Sequence, residues 1–235
     1  MNSSIKTQNY GLLKLKDKKL FDEAFTHRSY LNEAKVKIAS NERLEFLGDS
    51  ILSFVISNYL YNKYLDFNEG NLTNLRSLMV NTKSLSEIAR ELNMGQLLKL
   101  SRGEEESKGR ENATLLENSF EAYIGALFLD QGIESVIKFL ESTLFPKIQE
   151  FVNKKAFKDP KSLLQEKVQA KKRGSPLYKV LGETGPAHAK IFKVGVFVDG
   201  KKLGEGTGKS KQLAEESAAQ KALELTPEVA LENRA

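Results

Sequence analysis

Residues 41–50 read NERLEFLGDS, and the placing of their charges decides the fold. Glu42, Glu45 and Asp49 sit among Leu44, Leu47 and Ile51 at three- and four-residue steps, the period of an amphipathic helix. At about 100° per residue, with Glu42 at zero, Glu45 falls near ~300° and Asp49 near ~340°. The three acids therefore share an arc of roughly 60°. Leu44, Leu47, Ile51, Phe54 and Val55 fall opposite and are expected in the core. Phe46, near ~40° and beside the acids, cannot also reach that core. Like charges on one face repel, so the question is what relieves them.

A second stretch repeats the arrangement. In LLENSFEAYIGALFL (115–129), Asn118 and Glu121 are three apart and share a face, while Phe120, Tyr123, Ile124 and Leu127 cover the other side. Gly125, four after Glu121, leaves the acidic face open. If the two helices pack together, Glu45, Asp49, Asn118 and Glu121 converge on an oxygen-lined site, which is what a hard cation such as Mg²⁺ requires. The plainer reading is a solvated acidic face with arginine counter-charges, for which Arg43 and Arg110 stand nearest in sequence. For Phe46 the spacing leaves two readings open, contact with a second subunit or cover by a loop of the same chain.

Outward from these helices, residues 1–152 read as all-helical. Asp66–Gly70 is a turn before another helix, and SRGEEESKGREN (101–112) reads as an exposed loop. Residues 153–159 read as a linker. From 160 to 227 the order is α-β-β-β-α: a helix ending at Gly174, strands in LYKVLGE, KIFKVGVFVDG and KKLGEGTG, and the closing helix KSKQLAEESAAQKALEL. Asp199-Gly200 is a hairpin turn signal. Residues 228–235 read as a tail. The fold class is an all-α N-terminal domain followed by an α+β domain.

Composition narrows the chemistry. The chain has no cysteine, which excludes disulfides, thiol nucleophiles and zinc-thiolate sites. Its net charge of +5 divides into −2 over residues 1–150 and +7 over 151–235, so the basic end suits a polyanion. No secretory signal and no membrane-spanning run is evident, which makes a cytoplasmic protein the expectation. GEGTGKS (204–210) lacks the spacing of a Walker phosphate loop, and no nucleophile-elbow pattern is present. His27, in FTHRSY, is expected to pack and hydrogen-bond.

NERLEFLGDS resembles the signature of the ribonuclease III family, and FTHRSY and LLENSFEAYIGALFLD resemble that family's other helices. The C-terminal α-β-β-β-α segment resembles a double-stranded-RNA-binding domain. The resemblance implies a homodimeric endonuclease that uses Mg²⁺, or Mn²⁺ in its place. It would hydrolyse phosphodiesters of double-stranded RNA to 5′-phosphate and 3′-hydroxyl ends, in ribosomal precursors and structured messengers. By motif position, Glu45, Asp49, Asn118 and Glu121 match the metal ligands, with Asp49 and Glu121 catalytic. Glu42 and Glu69 match acids of the RNA valley, and Phe46 matches the residue that plugs into the partner subunit. Asn118 departs from the family's usual Asp and adds no negative charge. In the binding domain, Gln165, Glu166, Pro186, His188, Lys209, Ser210 and Lys211 match RNA-contacting positions. Gln212 stands where a further lysine is usual, which implies one phosphate contact fewer.

Overall fold

In the computed structural model, which describes residues 11–153, 157, 159–186 and 189–225, helix α1 (Lys18–Ala24) starts at Asp17, whose carboxylate accepts the Lys19 amide at 2.7 Å. A 3₁₀ turn (Arg28–Asn32) leads to α2 (Glu42–Lys63), at 22 residues the longest helix. Then come α3 (Glu69–Met79), α4 (Thr82–Glu91), the short α5 (Arg102–Glu106), α6 (Ala113–Gln131), α7 (Ile133–Thr143) and α8 (Phe145–Asn153). Asparagines start several of them. Asn68, Asn81 and Asn112 each accept a first-turn amide at 2.9 Å, satisfying donors the helix itself cannot.

Helices α2 and α6 form the centre of this first unit, which spans Met1–Phe157. Leu52, Ile56 and Leu60 of α2 and Phe120, Tyr123, Ile124 and Leu127 of α6 are all buried. Tyr123 carries its hydroxyl into the interior and donates it to the Leu13 carbonyl at 2.8 Å. Two glycines set how near the helices come. A methyl group on Gly48 would overlap the Glu121 carbonyl, and one on Gly125 would overlap the Leu44 carbonyl. The backbones touch where a side chain would hold them apart. Phe157, within the stretch expected as a linker, is buried in this core and stacks on Phe67 with ring centroids 4.7 Å apart.

The second unit spans Lys158–Ala235. Helix α9 (Pro160–Ala170) is capped by Asp159, and β1 (Leu177–Thr184), β2 (Ile191–Val198) and β3 (Lys201–Gly208) form an antiparallel sheet in that order. Helix α10 (Lys211–Leu225) closes the unit. Val194, Val196 and Val198 alternate onto one sheet face and meet Leu164 and Val168 of α9 and Ala214, Ala218 and Ala222 of α10. At the β2–β3 hairpin, Asp199 and Gly200 have φ of 50° and 77°, the double left-handed turn that the Asp-Gly pair favours.

Three sequence expectations are corrected. Phe54, placed in the core, is 63% exposed, because the buried stripe of α2 is turned away from it, through Leu52, Ile56 and Leu60. Residues 101–112 are ordered rather than loop. Ser101 caps α5, and the Arg110 guanidinium donates to the Gly95 and Leu98 carbonyls at 2.9 Å each and to Glu105 at 2.7 Å. Helix α9 ends at Ala170, four residues before Gly174. Lys172 takes the left-handed conformation, φ 54°, and ends the helix as a glycine commonly does. The residues expected as the tail, 228–235, lie outside the described residues, as do 154–156 and 158 of the expected linker. No helix among the described residues is long and apolar enough to cross a membrane.

Candidate active site

At the glycine crossing, α2 presents Glu45 and Asp49 and α6 presents Glu121. Glu121 is a rare thing in a folded protein, a carboxylate only 8% exposed with no hydrogen bond or ion pair among the described residues. Burial pushes it up to about 8, and Asp49, Glu117 and Glu45 push in the same direction. Glu45, half-buried, is raised by burial, then by Glu42 and Glu117, with Asp49 adding less and Arg28 pulling it down. Glu45 and Glu121 are each destabilised by neighbouring acids, and Arg28, the cation that acts on Glu45, is paired with Glu42.

Arg28 lies 3.5 Å from the Glu42 carboxylate, which also accepts the Ser40 hydroxyl at 2.8 Å. Both members of the ion pair are largely exposed, so its net worth is small. Arg28 comes from the FTHRSY stretch, and it takes the counter-charge place that the plainer, solvated-face reading offered to Arg43 and Arg110. Arg110 is committed to Glu105 and two carbonyls, as described above. His27 packs as expected: the Ser29 amide donates to its Nδ1 at 3.3 Å, and its own amide donates to the Lys99 carbonyl at 3.1 Å.

The donor set suits a hard divalent cation. Carboxylates from two helices surround a buried acid that carries no cationic partner, and Asn118, half-buried three residues before Glu121, adds an amide oxygen on the same helix. The acids interact through space without closing into a cage: among the described residues, no three His, Cys, Asp or Glu side chains form a group arranged to hold an ion. Glu117 belongs to the cluster and was missed in the sequence. Its spacing of four from Glu121, the same as that of Glu45 from Asp49, was the available signal.

Glu69 stands apart. It begins α3, accepts the Thr73 hydroxyl at 3.0 Å, and is not among the groups acting on Glu45 or Glu121. It borders an open groove of about 610 Å³ whose walls include Phe54, Tyr61, Phe67, Leu72 and Arg76. Phe46 is 77% exposed, and Phe54 and Tyr61 follow it along α2, also exposed. An apolar stripe of this kind on a helix is costly to leave in water.

In the second unit, Gln165 and Glu166 lie exposed on α9, and Pro186 lies exposed between β1 and β2. His188 falls outside the described residues. Ser210 begins α10, and its hydroxyl accepts the Leu213 amide at 3.2 Å. Lys209 and Lys211 flank that cap, both exposed, with the Lys211 ammonium 5.8 Å from the Phe192 ring centre. Two cations at a helix N-terminus add to the helix dipole, an arrangement suited to phosphate.

Comparison with known proteins gives the same two parts. Residues 17–148 match the family described as ribonuclease-III-like, and residues 160–225 match the double-stranded RNA binding motif. The chain is similar to ribonuclease 3 of Streptococcus sanguinis, 48% identical over 88% of this chain and 90% of that one. It is 47% identical to ribonuclease 3 of Streptococcus equi subsp. zooepidemicus over 94% and 96%. Two solved structures of the nuclease domain of ribonuclease III from Campylobacter jejuni are similar at 40% and 37% identity. They cover 55% and 60% of this chain, and 87% and 93% of their own, with TM-scores of 0.51 and 0.53. One of them concerns flexibility in a region involved in dimer formation. A helical nuclease unit, a buried acid between α2 and α6, and a three-stranded RNA-binding unit thus meet in one chain, and that chain belongs to the ribonuclease III family.

Proposed function

We propose that the endonuclease chemistry of this chain is carried at the α2–α6 crossing by Glu45, Asp49, Asn118 and Glu121, holding Mg²⁺ or, in its place, Mn²⁺. As a member of the ribonuclease III family with a double-stranded-RNA-binding motif, the chain is a metal-dependent endoribonuclease acting on double-stranded RNA. The observation that carries the assignment of residues is Glu121, buried, without a cationic partner and pressed by three other acids. A site whose acids disfavour one another's negative charge and that offers only oxygen donors is matched by a hard cation. Such an ion supplies Lewis acidity and charge neutralisation at a phosphodiester, leaving 5′-phosphate and 3′-hydroxyl ends.

The protein's share is positional. Gly48 and Gly125 bring the two helices close enough for acids of both to act on one group. Glu42, oriented by Arg28 and Ser40, lies at the exposed edge of α2, where it borders an approaching duplex, and Glu69 lines the groove floor farther along. The second unit holds the duplex by shape. Gln165 and Glu166 face one minor groove, Pro186 and His188 the next, and Lys209, Ser210 and Lys211 meet phosphates across the major groove between them. Phe46 and the stripe behind it meet a second copy of the chain, giving a homodimer with two cutting sites. Ribosomal precursors and structured messenger RNAs in the cytoplasm are the substrates this reading expects.

The test is a long uniform RNA duplex incubated with the protein in Mg²⁺ and then in EDTA. Cleavage in Mg²⁺ alone is expected, with binding kept in EDTA. Glu121→Gln should abolish cleavage and leave binding largely intact. Cleavage by that variant at the unmodified rate would remove the α2–α6 crossing as the reaction centre.

A further inference from the structure

We infer that the ion pair between Lys161 of α9 and Glu215 of α10, lying over the ring of Tyr178, is a clamp that fixes the spacing of the two helices that grip RNA. The three are positioning residues for duplex binding. This rests on the placing, proposed above, of Gln165, Glu166 and Lys209 to Lys211 against the duplex. The Lys161 ammonium donates to the Glu215 carboxylate at 2.6 Å and lies 4.9 Å from the centre of the Tyr178 ring. Three elements, α9, β1 and α10, therefore meet at one cation. The side chains of the pair keep only 34% and 27% of their exposure, so water screens it less than an ordinary surface bridge. The ring face adds attraction to an ammonium that is partly desolvated.

Lys161 precedes Gln165 by four residues on α9, and Lys211 precedes Glu215 by four on α10. Residues four apart share a helix face about one turn apart, roughly 5.4 Å along the axis. The clamp thus stands one turn from an RNA contact on each helix. The apolar contact beneath it cannot set that spacing alone. Helix α10 turns Ala214, Ala218 and Ala222 to the core shared with Leu164 and Val168 of α9. Methyl groups form low ridges, and hydrophobic contact has no direction. The charged pair supplies the direction. Duplex RNA is recognised by shape, at grooves a fixed distance apart, so helix spacing decides how many contacts form together. The Tyr178 hydroxyl is buried with no hydrogen-bond partner among the described residues. A tyrosine kept for its hydroxyl would bond through it. Here it is the ring that is used.

The clamp makes a prediction opposite in sign to simple electrostatics. Glu215 is an acid one turn from Lys211, so its removal should by charge alone tighten RNA binding. As a clamp, its removal should weaken it. The full chain is measured for binding of an RNA duplex in EDTA and for cleavage in Mg²⁺, well below each melting temperature. The proteins are the unmodified chain, Glu215→Gln, Lys161→Gln, both together, Tyr178→Phe, Tyr178→Leu and Lys211→Ala. Glu215→Gln should weaken binding roughly tenfold, a coupling found within one ion-pair network, with the loss in KM rather than kcat. Lys161→Gln should do the same without the fall of about 1 in salt slope that marks a lost phosphate contact. The double variant should bind no worse than either single one. Tyr178→Leu should weaken binding, whereas Tyr178→Phe should keep it and melt higher, having shed an unsatisfied hydroxyl. Equal or tighter binding by Glu215→Gln, with binding weakened in Lys211→Ala, would overturn the clamp and leave the RNA contacts standing. Additive losses in the double variant, or a lowered salt slope in Lys161→Gln, would make Lys161 a direct phosphate contact and overturn it as well. Binding as weak in Tyr178→Phe as in Tyr178→Leu would overturn the part given to the ring. Unchanged binding in both Lys211→Ala and Glu215→Gln would overturn the RNA contacts of α10 and the clamp together.

Discussion

Gly48 on α2 faces the backbone carbonyl of Glu121 on α6 across a gap that has no room for a methyl group. The obstacle is backbone, not a side chain that can swing aside, so Gly48→Ala must push the helices apart. Overpacking of this kind costs about 1–3 kcal/mol. It also separates Glu45 and Asp49 from Glu121. The melting temperature should drop by several degrees, and single-turnover cleavage should slow by roughly 100-fold, the order expected for an ångström of misplacement. Duplex binding, placed in the second unit, should change little. Normal cleavage at saturating RNA would mean that the close crossing does not set the site.

The buried acid makes stability depend on pH in the metal-free protein. Glu121 in the folded chain keeps its proton up to about 8, whereas in the unfolded chain it releases it near the ordinary glutamate value of 4.5. Between those values the folded state binds more protons, so stability contributed by this group is present at low pH and lost as pH rises toward 8. The loss is on the order of a few kcal/mol. Melts in EDTA at pH 5 to 8 should show unmodified protein falling relative to Glu121→Gln, and Mg²⁺ should reverse the fall. Parallel curves for the two proteins would refute the assignment.

Phe46 offers a sharp test of assembly. A phenyl ring 77% exposed, on a helix that continues with the exposed Phe54 and Tyr61, is where a second copy of the chain is proposed to dock. Phe46→Glu should shift the protein toward monomer in analytical ultracentrifugation by raising the dimer Kd 100-fold or more, the order of about 3 kcal/mol for a buried aromatic anchor. An unchanged sedimentation coefficient across the concentration range would place the interface elsewhere.

The lysines at the start of α10 should behave as phosphate contacts. Lys209→Ala and Lys211→Ala should each weaken duplex binding without altering cleavage position. Each should lower the slope of log K against log salt by about 1. A lost lysine that leaves the slope unchanged is not at the RNA backbone.

Much of this was legible in the residues. The acid spacing on two helices, Asp199-Gly200 and the valine alternation of β2 each express a local rule, so they survive translation into structure. What escaped was tertiary. Phe54 satisfies the helical wheel of the core, yet which neighbour covers a given arc is not written in one helix's period. The order within 101–112 depends on Arg110 reaching back to Gly95 and Leu98, contacts between segments that charge content cannot reveal. Arg28 in place of Arg43 as the counter-charge is of the same kind, since it comes from another turn of chain. Glu117 was different. Its period, four residues before Glu121, is written in the helix itself.

Phe157 carries a practical consequence for dissecting the enzyme. Its ring fills space against Phe67 in the first unit's interior, five residues beyond where the helical pattern gives out. A nuclease fragment trimmed at residue 152 would leave that space empty, at a cost of about 3–5 kcal/mol by analogy with aromatic truncation in cores. Low activity or poor solubility in such a fragment would then report the missing ring and not a need for the RNA-binding half. The informative fragment ends after residue 157.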